Sequence, residues 1–259
     1  MPSSFRMSIG AELGEVARVN AAFADFAEGH AVPVAVRRSL NVALDELLTN
    51  TVSYGLADAG GEASIDVELH PDRIIVTLSD NGRAFDPFGQ SAPDTTLSVE
   101  DRPIGGLGIH LVRRLVDDVN YQRLSDQNVV TLTKRLVGEV TAEHRGGVDM
   151  EITTRTQGEA TIVAIAGSLD SVTSPKAQQT LDEILAGGGH KLAVDFSALD
   201  YISSAGLRVL LGVAKKVSAK GGALRTFGLN QTVREVFDIS GFSAILAVFP
   251  GEAEALNGF

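Results

Sequence analysis

The feature that most constrains this chain is a break in its hydrophobic pattern near the middle. Apolar residues are regularly spaced on both sides of VGEVTAEHRGG, which has no periodicity itself and is rich in glycine and charge. A chain of 259 residues is expected to form about two domains, each with its own core. The sequence therefore predicts an N-terminal domain over residues 1–137, a linker over 138–147 and a C-terminal domain over 148–259.

Composition indicates which kinds of partner the chain has and in which cellular compartment it works. The formal net charge of −11 argues against direct binding to nucleic acid or to an anionic membrane, because both require clustered cations. The chain contains no cysteine, which excludes a disulfide framework and a thiolate metal site. Neither a signal peptide nor an apolar run of about eighteen residues is recognisable. We expect a soluble, cytoplasmic protein whose partners are proteins or small molecules.

In the N-terminal half, helical spacing gives way to strand spacing. Apolar residues recur at helical intervals in AELGEVARVNAAFADFAEGH and again from about Pro33 to Tyr54. ASIDVELH and RIIVTLSD then alternate apolar and polar residues around a Pro-Asp turn, which is typical of neighbouring strands. A long stretch rich in Gly, Pro and Asp follows, then a helix over GIHLVRRLVDDV and a last strand over NVVTLTKRL. This order favours an α+β sandwich, a sheet with helices on one face.

The C-terminal half alternates strand and helix patterns. MEITTRTQGEATIVAIAGSLD is typical of a hairpin, and SPKAQQTLDEILAGGG is typical of a helix closed by glycines. The elements expected after them are the strands KLAVDFS and ALDYI, a helix over SSAGLRVLLGVAKKVSAKGG, the strand ALRTFGL and the helix TVREVFDISGF. Such alternation favours a small α/β domain whose strands are partly parallel.

Three groups of polar residues and glycines interrupt the N-terminal pattern. Glu46 and Asn50 lie four residues apart on a predicted helix, so a carboxylate and an amide are neighbours. Asp80, Asn81 and Gly82 end a strand, and glycines at positions 105, 106 and 108 open a helix. Each group alone also fits an ordinary role, namely a solvated helix edge, a turn, or a glycine-rich helix entry without a phosphate-binding fingerprint.

Taken in order, the three groups resemble the GHKL ATP-binding fold shared by gyrase, Hsp90, histidine kinases and MutL. DELLTN, SDNGRAFDP and DRPIGGLGIHLV are similar to the anti-sigma-factor serine kinases of that superfamily, over about residues 10–136. The resemblance implies an ATP- and Mg²⁺-dependent serine kinase in which Glu46 accepts the serine proton and Asn50 holds magnesium. Asp80 would accept a hydrogen bond from the adenine amino group, and the other nucleotide contacts would come from Gly82, Gly105, Gly106, Leu107 and Gly108.

Three further expectations concern the same half. The Gly, Pro and Asp content between Phe88 and Ile104 offers little apolar surface to hold a closed state, so we expect a mobile lid over the triphosphate. Tyr54 stands where many of the similar kinases have histidine, which affects the expected packing of the lid more than the chemistry. His110 is expected to pack on the helix after the lid rather than to accept phosphate.

The second half resembles the STAS family, the anti-sigma-factor antagonists that such kinases phosphorylate. The matching segments are GSLDSVTSPKAQQTL, LAVDFSALDYISSAGLRVLL and VREVFDISGF, within residues 149–250. Many relatives have an aspartate and then a hydroxyl pair directly before the glycine, whereas Ser203, Ser204 and Ala205 precede Gly206 here. The resemblance implies phosphorylation at Ser204, with Ser203 as the second choice. Taken alone, these serines also fit a helix cap.

Together the two resemblances imply a bacterial partner-switching regulator, a serine kinase fused to a STAS module that is a phosphorylation target or a docking domain. A non-catalytic alternative stays open, in which the first half senses nucleotide and the STAS half binds a regulatory partner. An ATPase of the gyrase or Hsp90 type is disfavoured because no transducer domain follows. The implied partners are a STAS protein or the chain's own STAS domain, a sigma factor or other regulatory target, a PPM-type serine phosphatase, and a second copy of the chain.

Overall fold

The computed structural model describes residues 3–56, 61–89, 93–94, 97–98, 101, 106–137 and 150–259. Within these ranges the chain forms two compact units, which correspond in the main to its two halves. The predicted linker over 138–147 lies outside the described residues, so the domain boundaries at 137 and 148 stay a prediction.

The N-terminal unit is built on one antiparallel sheet. Its elements are β1 (Ser3–Ile9), α1 (Gly14–Gly29), α2 (Val34–Asn50), β2 (Ala63–Leu69), β3 (Arg73–Asp80), α3 (Gly108–Leu115), β4 (Asp118–Leu124) and β5 (Gln127–Arg135). The strands are ordered β1-β2-β3-β5-β4, and each neighbouring pair is antiparallel. The predicted α+β sandwich is confirmed.

The core of this unit lies between the helices and one face of the sheet. Every second residue of β2 and β3 is buried, as a half-covered antiparallel sheet requires. Leu40, Leu44 and Leu48 of α2 and Phe23 of α1 pack in the same cluster as these strand residues. The leucine stripe therefore fixes how α2 rotates against the sheet, and with it the side of the helix on which Glu46 and Asn50 lie.

Arg18 ties β1 to α1. Its guanidinium donates a hydrogen bond to the carbonyl oxygen of Ser8 at 2.6 Å and others to the carboxylate of Glu15. The hydrogen bond from Arg18 lowers the pKa of Glu15. Glu15 in turn accepts the backbone N–H of Gly10 at 3.3 Å, so the connection between strand and helix is held at both ends.

Two expectations for this unit are wrong in detail. The helix predicted through Tyr54 ends at Asn50 and continues as a π-helical turn over Thr51–Gly55. The helix predicted over GIHLVRRLVDDV ends at Leu115, and its last residues begin β4. β4 and β5 form a hairpin whose turn residues Ser125 and Asp126 have φ of 46° and 65°. Such a turn matches the twist of a hairpin, but Ser-Asp lacks the glycine that usually marks it in a sequence.

The C-terminal unit is a mixed, largely parallel sheet with helices. Its elements are β6 (Glu151–Gln157), β7 (Ala160–Leu169), α4 (Ser174–Ala186), β8 (Lys191–Asp195), β9 (Leu199–Ile202), α5 (Ser204–Ser218), β10 (Ala223–Phe227), α6 (Gln231–Ile239), β11 (Ala247–Phe249) and α7 (Glu252–Leu256). The main strand order is β11-β10-β8-β7-β6, and β9 pairs with the end of β7. Among the described strands of this unit, only the β6–β7 pair is antiparallel. The predicted small α/β domain is confirmed.

The sequence patterns missed β1, and at the C-terminal end they missed β11 and α7. These last elements are short. Arg225, which lies earlier in the chain on β10, binds the end of the last helix directly. Its guanidinium donates to the carbonyl oxygens of Ala255 and Asn257 at 2.8 Å and of Gly258 at 2.9 Å. It also lies 4.1 Å from the ring centroid of Phe259. One arginine thus satisfies carbonyls at the end of α7 that the short helix leaves open.

Candidate nucleotide site and phosphoacceptor site

Glu46 and Asn50 lie one turn apart in the last part of α2. The helix places their side chains at neighbouring positions on its surface, as the spacing predicts. Glu46 is 6% exposed, whereas Asn50, the last residue of the helix, is partly exposed. A carboxylate and an amide oxygen are thus held next to each other at the end of a rigid element.

The chain leaves α2 through a turn that touches the end of β3. An added Cβ at Gly82 would lie only 2.4 Å from the carbonyl oxygen of Gly55 and 2.9 Å from Oδ1 of Asp80. No side chain fits there, so glycine is required for this close approach. The contact brings the end of α2 and the Asp80 turn, which are far apart in sequence, to one place.

Asp80 is the last residue of β3 and is buried, with 8% exposure. Its Oδ1 accepts the backbone N–H of Gly82 at 2.9 Å and the side-chain amide of Asn128 at 2.8 Å. Both hydrogen bonds from the described residues end on Oδ1, which leaves the acceptor sites of Oδ2 for a ligand. The neighbouring Asn81 has a structural role, because its Oδ1 accepts the backbone N–H of Glu62 at 2.9 Å.

Asn128 is the residue of this site that the sequence analysis missed. It lies directly opposite Asp80 in the pairing of β3 with β5 and is 5% exposed. Its Nδ2 donates to Asp80 and to the carbonyl oxygen of Arg83, both at 2.8 Å. Since 48 residues separate Asp80 from Asn128, only the strand register could have linked them.

The glycine-rich helix entry is described only in part. Gly105 lies outside the described residues. Gly106 is exposed with φ of 81°, a conformation that suits glycine, and Gly108 is the first residue of α3. Leu107 between them is 7% exposed and is a core residue. The N–H groups of this entry belong to the first turn of a helix, where anions are favoured.

Most of the predicted lid, residues 88–104, lies outside the described residues. At its start, the guanidinium of Arg113 from α3 lies 5.4 Å from the ring centroid of Phe88 and donates to the Phe88 carbonyl oxygen. Tyr54, in the π-helical turn, is 66% exposed. His110 is partly buried on α3.

The residues present fit ATP and Mg²⁺. Oδ2 of Asp80, to which none of the described residues donates a hydrogen bond, suits an amino group. Mg²⁺ keeps most of its water and phosphate ligands and needs only one or two protein oxygens, which the Asn50 amide can supply. Among the described residues, no group of three or more His, Asp or Glu side chains could hold a metal ion.

In the C-terminal unit, the structure places Ser203 and Ser204 at the start of α5. Ser203 is the N-cap, and its Oγ accepts the backbone N–H of Ala205 at 3.2 Å. Ser203 is completely buried, whereas Ser204 is 7% exposed. The capping role expected for one of the serines thus belongs to Ser203.

The start of α5 is packed closely against the end of β7. A Cβ added to Gly206 would lie 2.6 Å from the carbonyl oxygen of Leu169. The backbone N–H of Ser203 donates to that same oxygen at 2.9 Å. Asn230, the N-cap of α6, donates to the carbonyl oxygens of Leu199 and Asp200 in β9 at 2.6 and 3.1 Å. The serines therefore lie at the seam between β9 and α5, where the start of the helix packs on β7 and α6 holds the preceding strand.

Comparison with known proteins identifies both halves. Residues 9–134 match the histidine kinase-like ATPase domain, and residues 151–255 match the STAS domain. The fold and these matches define a kinase-like ATPase domain joined to a STAS domain. The chain belongs to both of these families, which it combines in one polypeptide.

Individual relatives match one half each. The serine/threonine-protein kinase BtrW of Bordetella bronchiseptica is 35% identical over 106 residues, which cover 40% of this chain and 74% of the relative. BtrV of the same organism is 38% identical over 98 residues, 38% of this chain and 84% of the relative. The anti-sigma-B factor antagonist of Listeria monocytogenes is 31% identical over 96 residues, 37% of this chain and 83% of the relative.

Among solved structures, an anti-sigma factor antagonist from Mycobacterium paratuberculosis matches with a TM-score of 0.40 and 21% identity, over 42% of this chain and 92% of that one.

In the part of the chain that the structure describes, no helix is long and apolar enough to cross a membrane.

Proposed function

We propose that this chain is an ATP- and Mg²⁺-dependent protein serine kinase of bacterial partner switching, fused to a STAS module. One observation carries the proposal. The Glu46–Asn50 end of α2 and the Asp80 turn of β3 meet at the Gly55–Gly82 contact, where an added Cβ at Gly82 would lie 2.4 Å from the Gly55 oxygen. The proposed general base, the proposed metal ligand and the carboxylate proposed to bind adenine therefore come from two elements that are in close contact.

Glu46 is proposed as the general base. The oxygen of the acceptor serine forms a bond to the γ-phosphorus of ATP while the bond from that phosphorus to the leaving oxygen of ADP breaks. The serine proton passes to the Glu46 carboxylate, and the electron pair of the broken bond stays on ADP. Glu46 is buried at 6% exposure, which keeps competing water away from this transfer.

Asn50 is proposed to hold magnesium through its amide oxygen. When bound, the metal neutralises charge on the phosphate oxygens, which is a large part of catalysis in phosphoryl transfer. Asp80 would bind the adenine amino group through Oδ2. The remaining contacts with the nucleotide would come from Gly82, Gly105, Gly106, Leu107 and Gly108.

Ser204 is proposed as the phosphoacceptor of the STAS module, with Ser203 as the second choice. What favours Ser204 is that the Ser203 hydroxyl is fully buried and already caps α5. A phosphate at the start of a helix is stabilised by backbone N–H groups and the positive end of the dipole, whereas its charge changes the surface seen by a partner. The chain would act on its own STAS module, on that of a second copy, or on a separate STAS protein.

The two halves match two separate proteins of one organism, BtrW and BtrV, which supports a kinase joined to its kind of target. The proposed partners beyond STAS proteins are a sigma factor or another regulatory target and a PPM-type serine phosphatase. The alternative is a non-catalytic sensor of nucleotide whose STAS half only docks. It is favoured by Ala205, which leaves no hydroxyl directly before Gly206.

Transfer of label from γ-labelled ATP to protein decides between the two. The full chain is incubated with Mg-ATP, and labelled peptides are mapped by mass spectrometry. We expect a labelled serine with the unaltered chain and none with Glu46→Ala. Glu28→Ala is the matched control, since Glu28 is an exposed glutamate on α1. Nucleotide binding without any labelled product, on the chain or on an added STAS protein, would establish the non-catalytic alternative.

A further inference from the structure

Asn128 has a role that the motifs of this chain do not assign. We infer that Asn128 is a positioning residue that fixes which oxygen of Asp80 reads the nucleotide base, and so sets the preference for adenine. This inference rests on the proposed function of the N-terminal domain, because it concerns how Asp80 would recognise ATP.

The orientation of the Asn128 amide is determined by its neighbours. Its Oδ1 accepts the backbone N–H of Phe85 at 3.2 Å, and a backbone N–H can only donate. Its Nδ2 must therefore face the carboxylate of Asp80 and the carbonyl oxygen of Arg83, which can only accept. The amide cannot be turned around without placing donor against donor and acceptor against acceptor.

Two side chains of β4 hold the acceptor side of this amide. The Tyr121 hydroxyl donates to Oδ1 of Asn128 at 2.9 Å, and Nη1 of Arg123 donates to it at 3.0 Å. The same Nη1 donates to the carbonyl oxygen of Gly82 at 2.9 Å. β4 therefore supports both the amide of Asn128 and the turn that follows Asp80.

The consequence for Asp80 is a fixed carboxylate with unequal oxygens. Oδ1 is occupied by two donors, Gly82 N–H and Asn128 Nδ2. A buried carboxylate that is held in this way presents Oδ2 as an acceptor in one direction. An acceptor suits the amino group of adenine and repels the carbonyl oxygen that inosine carries at the same position. Sites built to hydrogen-bond one polar group discriminate strongly against its replacement.

The test uses Asn128→Asp in the full chain, since this change keeps the size of the side chain and an acceptor for the three donors on Oδ1. It replaces the donor at 2.8 Å from Asp80 by a second carboxylate oxygen. Two carboxyl groups so close repel and share one proton, which makes the pair a donor as well as an acceptor. Asn120→Asp is the matched control. Asn120 is exposed on β4, and its replacement by aspartate adds the same charge to the same sheet.

The measurement is the affinity for the β,γ-imido analogues of ATP and of inosine triphosphate, by calorimetry, with thermal unfolding of each variant as a check on the fold. We expect the unaltered chain to prefer the adenine analogue by about 100-fold or more. In Asn128→Asp the preference for the adenine analogue should fall to about ten-fold or less. In Asn120→Asp this preference should stay unchanged. A purely structural role would weaken both analogues equally and keep the ratio.

If Asn128→Asp does not fold, Tyr121→Phe serves instead, because it removes one hydrogen bond from Oδ1 without a change in ring size. We then expect the adenine preference to fall by about three- to ten-fold. A ratio equal to that of the unaltered chain, in either folded variant, overturns the inference. Failure of the unaltered chain to bind the adenine analogue would overturn the proposed function itself, and equal binding of both analogues would overturn only the role given to Asp80 and Asn128.

Discussion

The Asp80 turn in the N-terminal domain and the Ser203–Ser204 seam in the STAS domain are built alike up to a point. Each lies at the end of a strand, and each is held by an asparagine from a distant element. Asn128 of β5 holds the first, and Asn230, the N-cap of α6, holds the second.

The two asparagines differ in what they touch. Asn128 donates to the carboxylate that is proposed to bind adenine, at 2.8 Å. Asn230 donates only to backbone carbonyl oxygens, those of Leu199 and Asp200. We therefore propose that one asparagine acts on recognition and the other on the scaffold. Changes at the first site should alter chemistry, and changes at the second should alter stability.

The largest effect should come from the two acidic residues of the N-terminal domain. Asp80→Asn replaces the carboxylate by a neutral amide. Loss of a hydrogen bond to a buried charge should weaken binding of an ATP analogue by about 100-fold.

Glu46→Ala should leave the affinity for the ATP analogue within about three-fold but lower the rate of transfer by about 100- to 10,000-fold. Calorimetry and γ-label transfer separate these outcomes. Full transfer by Glu46→Ala would end its assignment as the base.

The contrast also explains what the sequence could predict. Glu46 and Asn50 are linked by helical spacing, and the capping of α5 by a serine is a local pattern, so both were visible along the chain. Asn128 meets Asp80 only because β3 and β5 pair in one register, and no local pattern contains that register. The helix predicted through Val119 failed for the same kind of reason, since pairing with β5 turned its end into β4.

In the STAS domain, the seam depends on close backbone packing, and Gly206→Ala should break it. The new Cβ would meet the carbonyl oxygen of Leu169 at 2.6 Å, and overpacking of this kind lowers the free energy of unfolding by about 1–3 kcal/mol. Gly212 is the matched control on the same helix, because its nearest atom, on Gln178, is 3.8 Å away. Gly212→Ala should be neutral or stabilising by up to about 1 kcal/mol. Urea unfolding of both variants would show equal stability if the seam is not tight.

Asn230→Ala should lower the stability of the STAS domain by about 2 kcal/mol, since it removes a helix cap and two hydrogen bonds to the backbone carbonyls of β9. Nucleotide affinity should not change, in contrast to Asn128→Asp. Asn257→Ala is the control, because Asn257 is exposed and only its backbone is used by Arg225. A loss of nucleotide affinity in Asn230→Ala would break the proposed distinction between the two asparagines.

The smallest effect on stability is expected within the serine pair, where scaffold and chemistry lie one residue apart. Ser203→Ala removes the cap on the Ala205 N–H and should cost about 1 kcal/mol of unfolding free energy, while phosphorylation by Mg-ATP and a cognate kinase persists. Ser204→Ala should lose the label, because the accepting hydroxyl is gone. Urea unfolding and peptide mapping of the two variants in parallel test both statements. A label that vanishes in Ser203→Ala and persists in Ser204→Ala would assign the chemistry to the buried cap, so that opening of the first turn of α5 would have to precede every transfer.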